Sequence, residues 1–241
     1  MKMSLVKLEY SVNFNKKKRK SKNIEYLIFH YTGMKNEKKA IHRLKNPKSL
    51  VSSHFLIKKN GKIILLVPPL YTAWHAGISS WKKKSLLNKS SIGIEITNPG
   101  HQYGYKNFSK KQILSTIKLS KFLIKKFKIK KENILGHSDI APNRKKDPGE
   151  KFQWEFLAKK GVGIWHGLNK KKLETQRKIN IDKNKILKFK LNLIKFGYTK
   201  ELNNNFKTLK NVITAFQRRF RPQIINGKID LECYEILKNL V

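Results

Sequence analysis

The stretch Ile24-Glu25-Tyr26-Leu27-Ile28-Phe29-His30 is almost wholly apolar and rich in β-formers. It shows no polar/apolar alternation, so it reads as a strand buried on both faces, within a sheet that has cover on each side. It stops at a histidine, and Tyr31-Thr32-Gly33 follows as a loop. Everything else in the first two thirds of the chain must supply neighbours and cover for this strand. Residues 36–45 carry Ala40, Ile41 and Leu44 at helical spacing. His54–Lys58 and Lys62–Val67 flank Asn60-Gly61, which predicts a hairpin closed by a two-residue turn. Residues 71–90 read as loop and contain Trp74, His75, Gly77 and Trp81. Ser91-Ile92-Gly93-Ile94-Glu95-Ile96 is a strand with its isoleucines on one face and Gly93 and Glu95 on the other. Ser109-Lys110-Lys111-Gln112 is a capping box opening a long helix, with Ile113, Leu114, Ile117, Leu123, Ile124 and Phe127 on its buried side. Residues 133–136 return as a strand. Such interleaving predicts an α/β (α+β) fold, a mixed central β-sheet flanked by helices.

Domain organisation follows from composition shifts. Residues 1–22 are polar and basic and read as a surface arm. Residues 23–167 hold the strands and helices above. Residues 168–183 lose apolar content and read as a linker. In 184–241 three helical patterns predict a small three-helix C-terminal domain. The first carries Ile186, Leu187, Ile194 and Phe196, the second Leu209, Val212, Ile213, Phe216 and Phe220, and the third Tyr234, Leu237 and Leu240 after Asp230.

The 241 residues carry 55 Lys+Arg against 15 Asp+Glu, a net charge of +40. That field favours anionic partners. The lysines are spread along the chain, however, with Lys16-Lys17-Lys18-Arg19-Lys20 as the densest run, and the plain reading is a solvated basic surface. No aromatic-plus-basic motif accompanies the charge, so no specific nucleic-acid partner is expected. One cysteine, Cys233, excludes a disulfide within the chain and a cysteine-based zinc site. The longest apolar run, Ile63–Leu70, contains two prolines and is too short to span a bilayer. The first ten residues lack the apolar core of a signal peptide, which points to the cytoplasm; a leader lost to a misplaced start codon would instead point to the periplasm or cell envelope.

Seven histidines occur, and any one alone is more often structural than a ligand. His30 and His137 differ, because both end apolar strands, where a scaffold holds reactive groups rigidly. Asp147 precedes Pro148 and is biased towards an extended backbone, so Lys145 and Asp147 would face the same way. Two imidazoles and one carboxylate would leave the fourth position of a tetrahedral Zn2+ open. Glu95 is either a solvent-facing residue on a half-buried strand or a general base beside the metal. Lys145 would be one cation among many, or the group that stabilises an oxyanion.

Leu27-Ile28-Phe29-His30-Tyr31-Thr32-Gly33-Met34, Val51-Ser52-Ser53-His54-Phe55-Leu56-Ile57, Ala73-Trp74-His75-Ala76-Gly77, Ser91–Gly100 and Gly136-His137-Ser138-Asp139-Ile140-Ala141-Pro142 through Asp147-Pro148-Gly149 occur in that order. Together they resemble the type-2 N-acetylmuramoyl-L-alanine amidases, zinc enzymes related in fold to peptidoglycan recognition proteins and phage T7 lysozyme. The resemblance covers roughly residues 10–167. It implies zinc at His30, His137 and Asp147, Glu95 as catalytic acid/base and Lys145 as the transition-state stabiliser. Trp74 and His75 would lie near the substrate groove. The implied reaction is hydrolysis of the amide between N-acetylmuramoyl and L-alanine, in peptidoglycan or in anhydro-muropeptide fragments. The alternative is a recognition protein that binds such ligands without turnover. Phe216-Gln217-Arg218-Arg219-Phe220-Arg221-Pro222 and Asn226-Gly227-Lys228-Ile229-Asp230 are similar to the three-helix peptidoglycan-binding module; otherwise they form a helical cap that binds nothing.

Overall fold

In the computed structural model, which describes residues 6–198 and 206–241, the first described residues already belong to the sheet. In chain order the elements are β1 (Val6–Leu8), β2 (Phe14–Asn15), β3 (Tyr26–Tyr31), α1 (Glu37–Lys45), β4 (Phe55–Ile57), β5 (Ile63–Leu65), β6 (Thr72–Ala73), β7 (Ser80–Trp81), β8 (Lys84–Ser85) and β9 (Ser91–Ile96). They continue with α2 (Lys110–Phe127), β10 (Ile134–Gly136), α3 (His137–Ile140), α4 (Trp154–Lys159), α5 (Lys170–Gln176), α6 (Lys183–Phe196), α7 (Phe206–Phe220) and α8 (Leu231–Leu240). The main sheet runs β1-β5-β4-β9-β3-β10. Only the β4–β5 hairpin is antiparallel; the other four pairings are parallel.

Strand parity divides the core. Leu27 and Phe29 of β3 and the three isoleucines of β9 face one way, onto Ile113, Ile117 and Leu123 of α2. Tyr26 and Ile28 of β3 and Leu135 of β10 face the other way, onto Phe189, Leu193 and Phe216 of the C-terminal helices. The prediction of a central strand covered on both faces therefore holds, and the second cover comes from residues beyond 167.

Several details differ from the sequence reading. The basic surface arm expected over residues 1–22 is, where described, tied into the sheets. β1 is an edge strand parallel to β5, and β2 pairs with β6. Arg19, amid the lysine run, donates to the carbonyls of Pro69 and Asn88 at 2.8–3.1 Å. Pattern alone misses this because a run of charge conceals a single half-buried guanidinium. The hairpin loop has three residues: Lys58 N–H donates to Lys62 O and Gly61 N–H to Lys58 O, each at 2.9 Å, and Gly61 alone has positive φ (81°). Gly61 thus follows a turn, in the way a three-residue loop places glycine. Leu114 of α2 is exposed, while Thr116, Leu119 and Ser120 are buried. On α6 the buried face is Phe189, Leu193 and Phe196, and Leu187 and Ile194 point outward. Two apolar stripes on that helix made the sequence ambiguous. Residues 168–183 include α5, with Leu173 buried.

Because one apolar layer joins Tyr26, Ile28 and Leu135 to the C-terminal helices, the chain should unfold in one cooperative transition. Deleting residues 168–241 should abolish it and expose dye-binding apolar surface, read by calorimetry and ANS fluorescence. Two separate transitions in the intact chain would contradict this.

Candidate metal centre and active site

Register places the functional side chains. β3 and β9 pair so that His30 lies opposite Glu95, and β10 pairs so that Gly136 lies opposite Phe29, which carries His137 to the level of His30. All three reach the carboxyl ends of parallel strands, where ligands bind in open α/β sheets. They share the sheet face that carries Tyr26 and Ile28. Asp147 arrives from the loop after α3, fixed by Ser138 N–H donating to Asp147 O at 2.8 Å.

The ligand atoms converge. His30 Nδ1 and His137 Nδ1 are 2.9 Å apart, and each is 3.1 Å from Asp147 Oδ2. Ligands about 2.0–2.1 Å from a tetrahedral zinc lie about 3.3 Å from one another, so this triangle matches a metal's own spacing. The far nitrogens are committed elsewhere. His137 Nε2 bonds to Ala76 O at 3.2 Å, and His30 Nε2 to His75 Nδ1 at 3.0 Å. Those donors leave both Nδ1 lone pairs facing the common point, as metal-ligating histidines require. The three side chains are buried. Burial pushes the His30 imidazole down to about 4, assisted by His137 and opposed by Asp147. Burial alone would raise the Asp147 carboxyl, but the charge and hydrogen bonds of His137, with those of His30, outweigh it and hold it well below the usual carboxylate range. A neutral imidazole and an ionised carboxylate are the forms a divalent cation binds, and the donor set fits zinc.

These groups open into a cleft of about 920 Å³ that is also lined by Glu95, Lys145 and Trp74. Glu95 Oε2 is buried without a hydrogen-bond partner. Burial pushes the Glu95 carboxyl up to about 8, Asp147 adds to this and Lys145 opposes it; a cation at the triad would pull it back down. The carboxyl is thus poised near neutrality, as a proton carrier should be.

A scan of protein families matches the N-acetylmuramoyl-L-alanine amidase model to residues 20–150. The chain belongs to this amidase family. It is 37% identical to N-acetylmuramoyl-L-alanine amidase AmiD of Escherichia coli over 206 residues, 79% of this chain and 74% of that one. It is 41% identical to 1,6-anhydro-N-acetylmuramyl-L-alanine amidase AmpD of Haemophilus influenzae over 106 residues, 44% of this chain and 55% of that one. AmiD in complex with anhydro-N-acetylmuramic acid-L-Ala-D-γ-Glu-L-Lys superposes with a TM-score of 0.78 at 35% identity, covering 90% of this chain and 88% of that one. AmpDh3 of Pseudomonas aeruginosa with an anhydromuramic pentapeptide gives 0.79 at 27% identity, covering 96% of each chain.

In this amidase, His75 and Trp74 both line the cleft. Both nitrogens of His75 are used internally, Nδ1 by His30 and Nε2 by Ser91 Oγ at 3.2 Å, so the ring supports a ligand. Trp74 Nε1 donates to Asn15 Oδ1 at 2.6 Å. Three supports went unnoticed in the sequence. Arg144 holds the carbonyls of Ala76 and Ile78. Asn88 Oδ1 accepts from the backbone N–H of His75 and Ala76. Gly93 leaves room for His75, since a Cβ there would lie 2.5 Å from His75 Cγ. The glycine within an isoleucine strand was the one available signal.

Gly93→Ala should therefore drive His75 off His30 and weaken zinc binding while β9 still forms; wild-type affinity in a chelator competition would refute this support. In the metal-free protein, unfolded His30 takes up protons below about 6.5 that the folded ring refuses until about 4. His30 should thus cost roughly 3 kcal/mol of stability as pH drops through that window, with His54 and His75 acting in the same sense and Glu95, raised to about 8, in the opposite one. Urea titrations of Glu95→Gln at pH 7 and pH 4.5, which remove the opposing carboxyl, check the sign.

Proposed function

We propose that this amidase uses zinc held by His30, His137 and Asp147 to hydrolyse the amide between N-acetylmuramoyl and L-alanine. The observation that carries the reading is the unpartnered, buried Glu95 oxygen beside a three-ligand cluster with one open side. When bound, zinc supplies Lewis acidity towards the scissile carbonyl and acidifies a water. Glu95 takes the proton from the attacking water and delivers it to the leaving L-alanine nitrogen. Lys145 places positive charge in the same cleft and stabilises the oxyanion. Trp74 contributes an apolar wall for the bound fragment.

Soluble anhydro-muropeptide fragments are the favoured substrate. The AmiD and AmpDh3 complexes hold such ligands. The motif similar to wall-binding modules is largely consumed by packing: Phe216, Gln217, Arg219, Phe220 and Arg221 are all buried. Gln217 binds the 226–228 loop through Asn226 N–H, Gly227 N–H and Lys228 O. A fragment substrate fits recycling of wall material, and fractionation of the native protein tests the compartment in which it acts. No helix among the described residues is long and apolar enough to cross a membrane.

Zinc-loaded protein incubated with anhydro-muropeptide should release free stem peptide, detected by mass spectrometry, and chelation should stop it. Glu95→Gln should keep its zinc and lose about 10²–10⁴-fold in kcat. Ligand retention without any product would replace the enzyme by a recognition protein.

A further inference from the structure

The most deeply buried ion pair between the sheet and the C-terminal helices has no part in the chemistry above. Arg219 of α7 and Asp139 of α3 meet at 2.7 Å, each side chain 1% exposed. Arg219 Nη2 also donates to Ile134 O at 2.9 Å, and its guanidinium lies 4.4 Å over the Trp154 ring. Asp139 is fully employed. Its Oδ2 accepts from Gly136 N–H at 2.7 Å, and its Oδ1 accepts from Tyr198 O–H at 3.0 Å. Gly136 is the residue immediately before His137, and Ser138, immediately after, holds the Asp147 carbonyl. Arg219 thus grips β10 at Ile134 and, through Asp139, the turn that launches His137.

We propose that Arg219, with Tyr198, is a positioning residue for the metal ligand His137, acting through Asp139, so that the C-terminal helices set the metal affinity of the catalytic cleft. The inference rests on the metal-centre reading above. Its physical basis is burial. A carboxylate removed from water needs a partnered charge and filled lone pairs to hold one orientation. Without Arg219, the Asp139 carboxylate keeps only Gly136 N–H and Tyr198 O–H and is free to rotate. That rotation releases Gly136 N–H, and His137 loses its fixed approach to Asp147 and His30. A ligand one residue removed from its anchor transmits such a shift to the metal site.

Zinc affinity is measured by chelator competition on the full chain, for wild type, Arg219→Met, Arg219→Lys, Tyr198→Phe and Arg177→Met. The last breaks the bidentate 2.7 Å pair of Arg177 with Glu232, which lies wholly within the C-terminal helices. Arg219→Met should weaken zinc binding roughly 10-fold and shift the visible spectrum of the cobalt-loaded protein. Arg219→Lys should recover most of that affinity. Tyr198→Phe, which deletes one hydrogen bond, should move it the same way by a smaller factor. Arg177→Met should lower thermal stability yet keep wild-type affinity, a separation that a merely structural role for Arg219 would not give. Wild-type zinc affinity in Arg219→Met overturns the inference, as does wild-type affinity in Tyr198→Phe should Arg219→Met fail to fold. Tight zinc binding without hydrolysis would sink only the proposed activity, and the affinity comparison would still decide this inference. A wild type that takes up no zinc removes both.

Discussion

Hydrogen-bond register among three parallel strands determines where the rest of the site can be. A shift of β9 against β3 by one residue would turn Glu95 to the α2 side and leave an isoleucine facing the ligands. The same holds for β10, whose last residue must lie beside Phe29 for His137 to reach His30. Register is pinned by burial on both faces, with isoleucines on one side and Tyr26, Ile28 and Leu135 on the other. The packing that stabilises the sheet and the alignment that assembles the cleft are therefore one constraint.

Around that alignment the protein places polar supports in layers. His30 leans on His75, His75 on Ser91, and Ser91 donates to Leu87 O at 2.6 Å. Gly93 makes the space for this column, and its N–H donates to His54 Nδ1 at 3.0 Å. Burial holds the His54 imidazole down at about 3 and drives His75 well below its ordinary value, so both rings stay neutral and act as fixed dipoles. A column of neutral rings presents one tautomer to the metal without adding positive charge beside it.

The residues at the centre were legible in the sequence because they sit where patterns change. His30 and His137 end apolar runs, Asp147 precedes a proline, and Glu95 stands alone on the non-isoleucine face. The capping box at Ser109 and Gln112 was equally plain and forms as expected. What stayed hidden were contacts whose value depends on distant partners. His75 lines the cleft beside Trp74, but its support of His30, 45 positions away, could not be read from that neighbour. Arg19 was lost in a lysine run, and the outward stripe of α6 mimicked the inward one, since both have helical period. The C-terminal motif was recognisable, yet the use of its Arg219 as internal glue depends on Asp139, some eighty positions earlier.

The scarcity of arginine adds one more consequence. Of 55 basic side chains only seven are arginines, in a chain that otherwise draws almost exclusively on lysine. Five of those seven, Arg19, Arg144, Arg177, Arg219 and Arg221, each reach two or more oxygens. A flat, several-toothed cation does that with fixed geometry, whereas an ammonium supplies the charge without the rigid fork. In a chain so dominated by lysine, these five guanidiniums mark internal joints between segments, a map that the rarity of the letter already hints at.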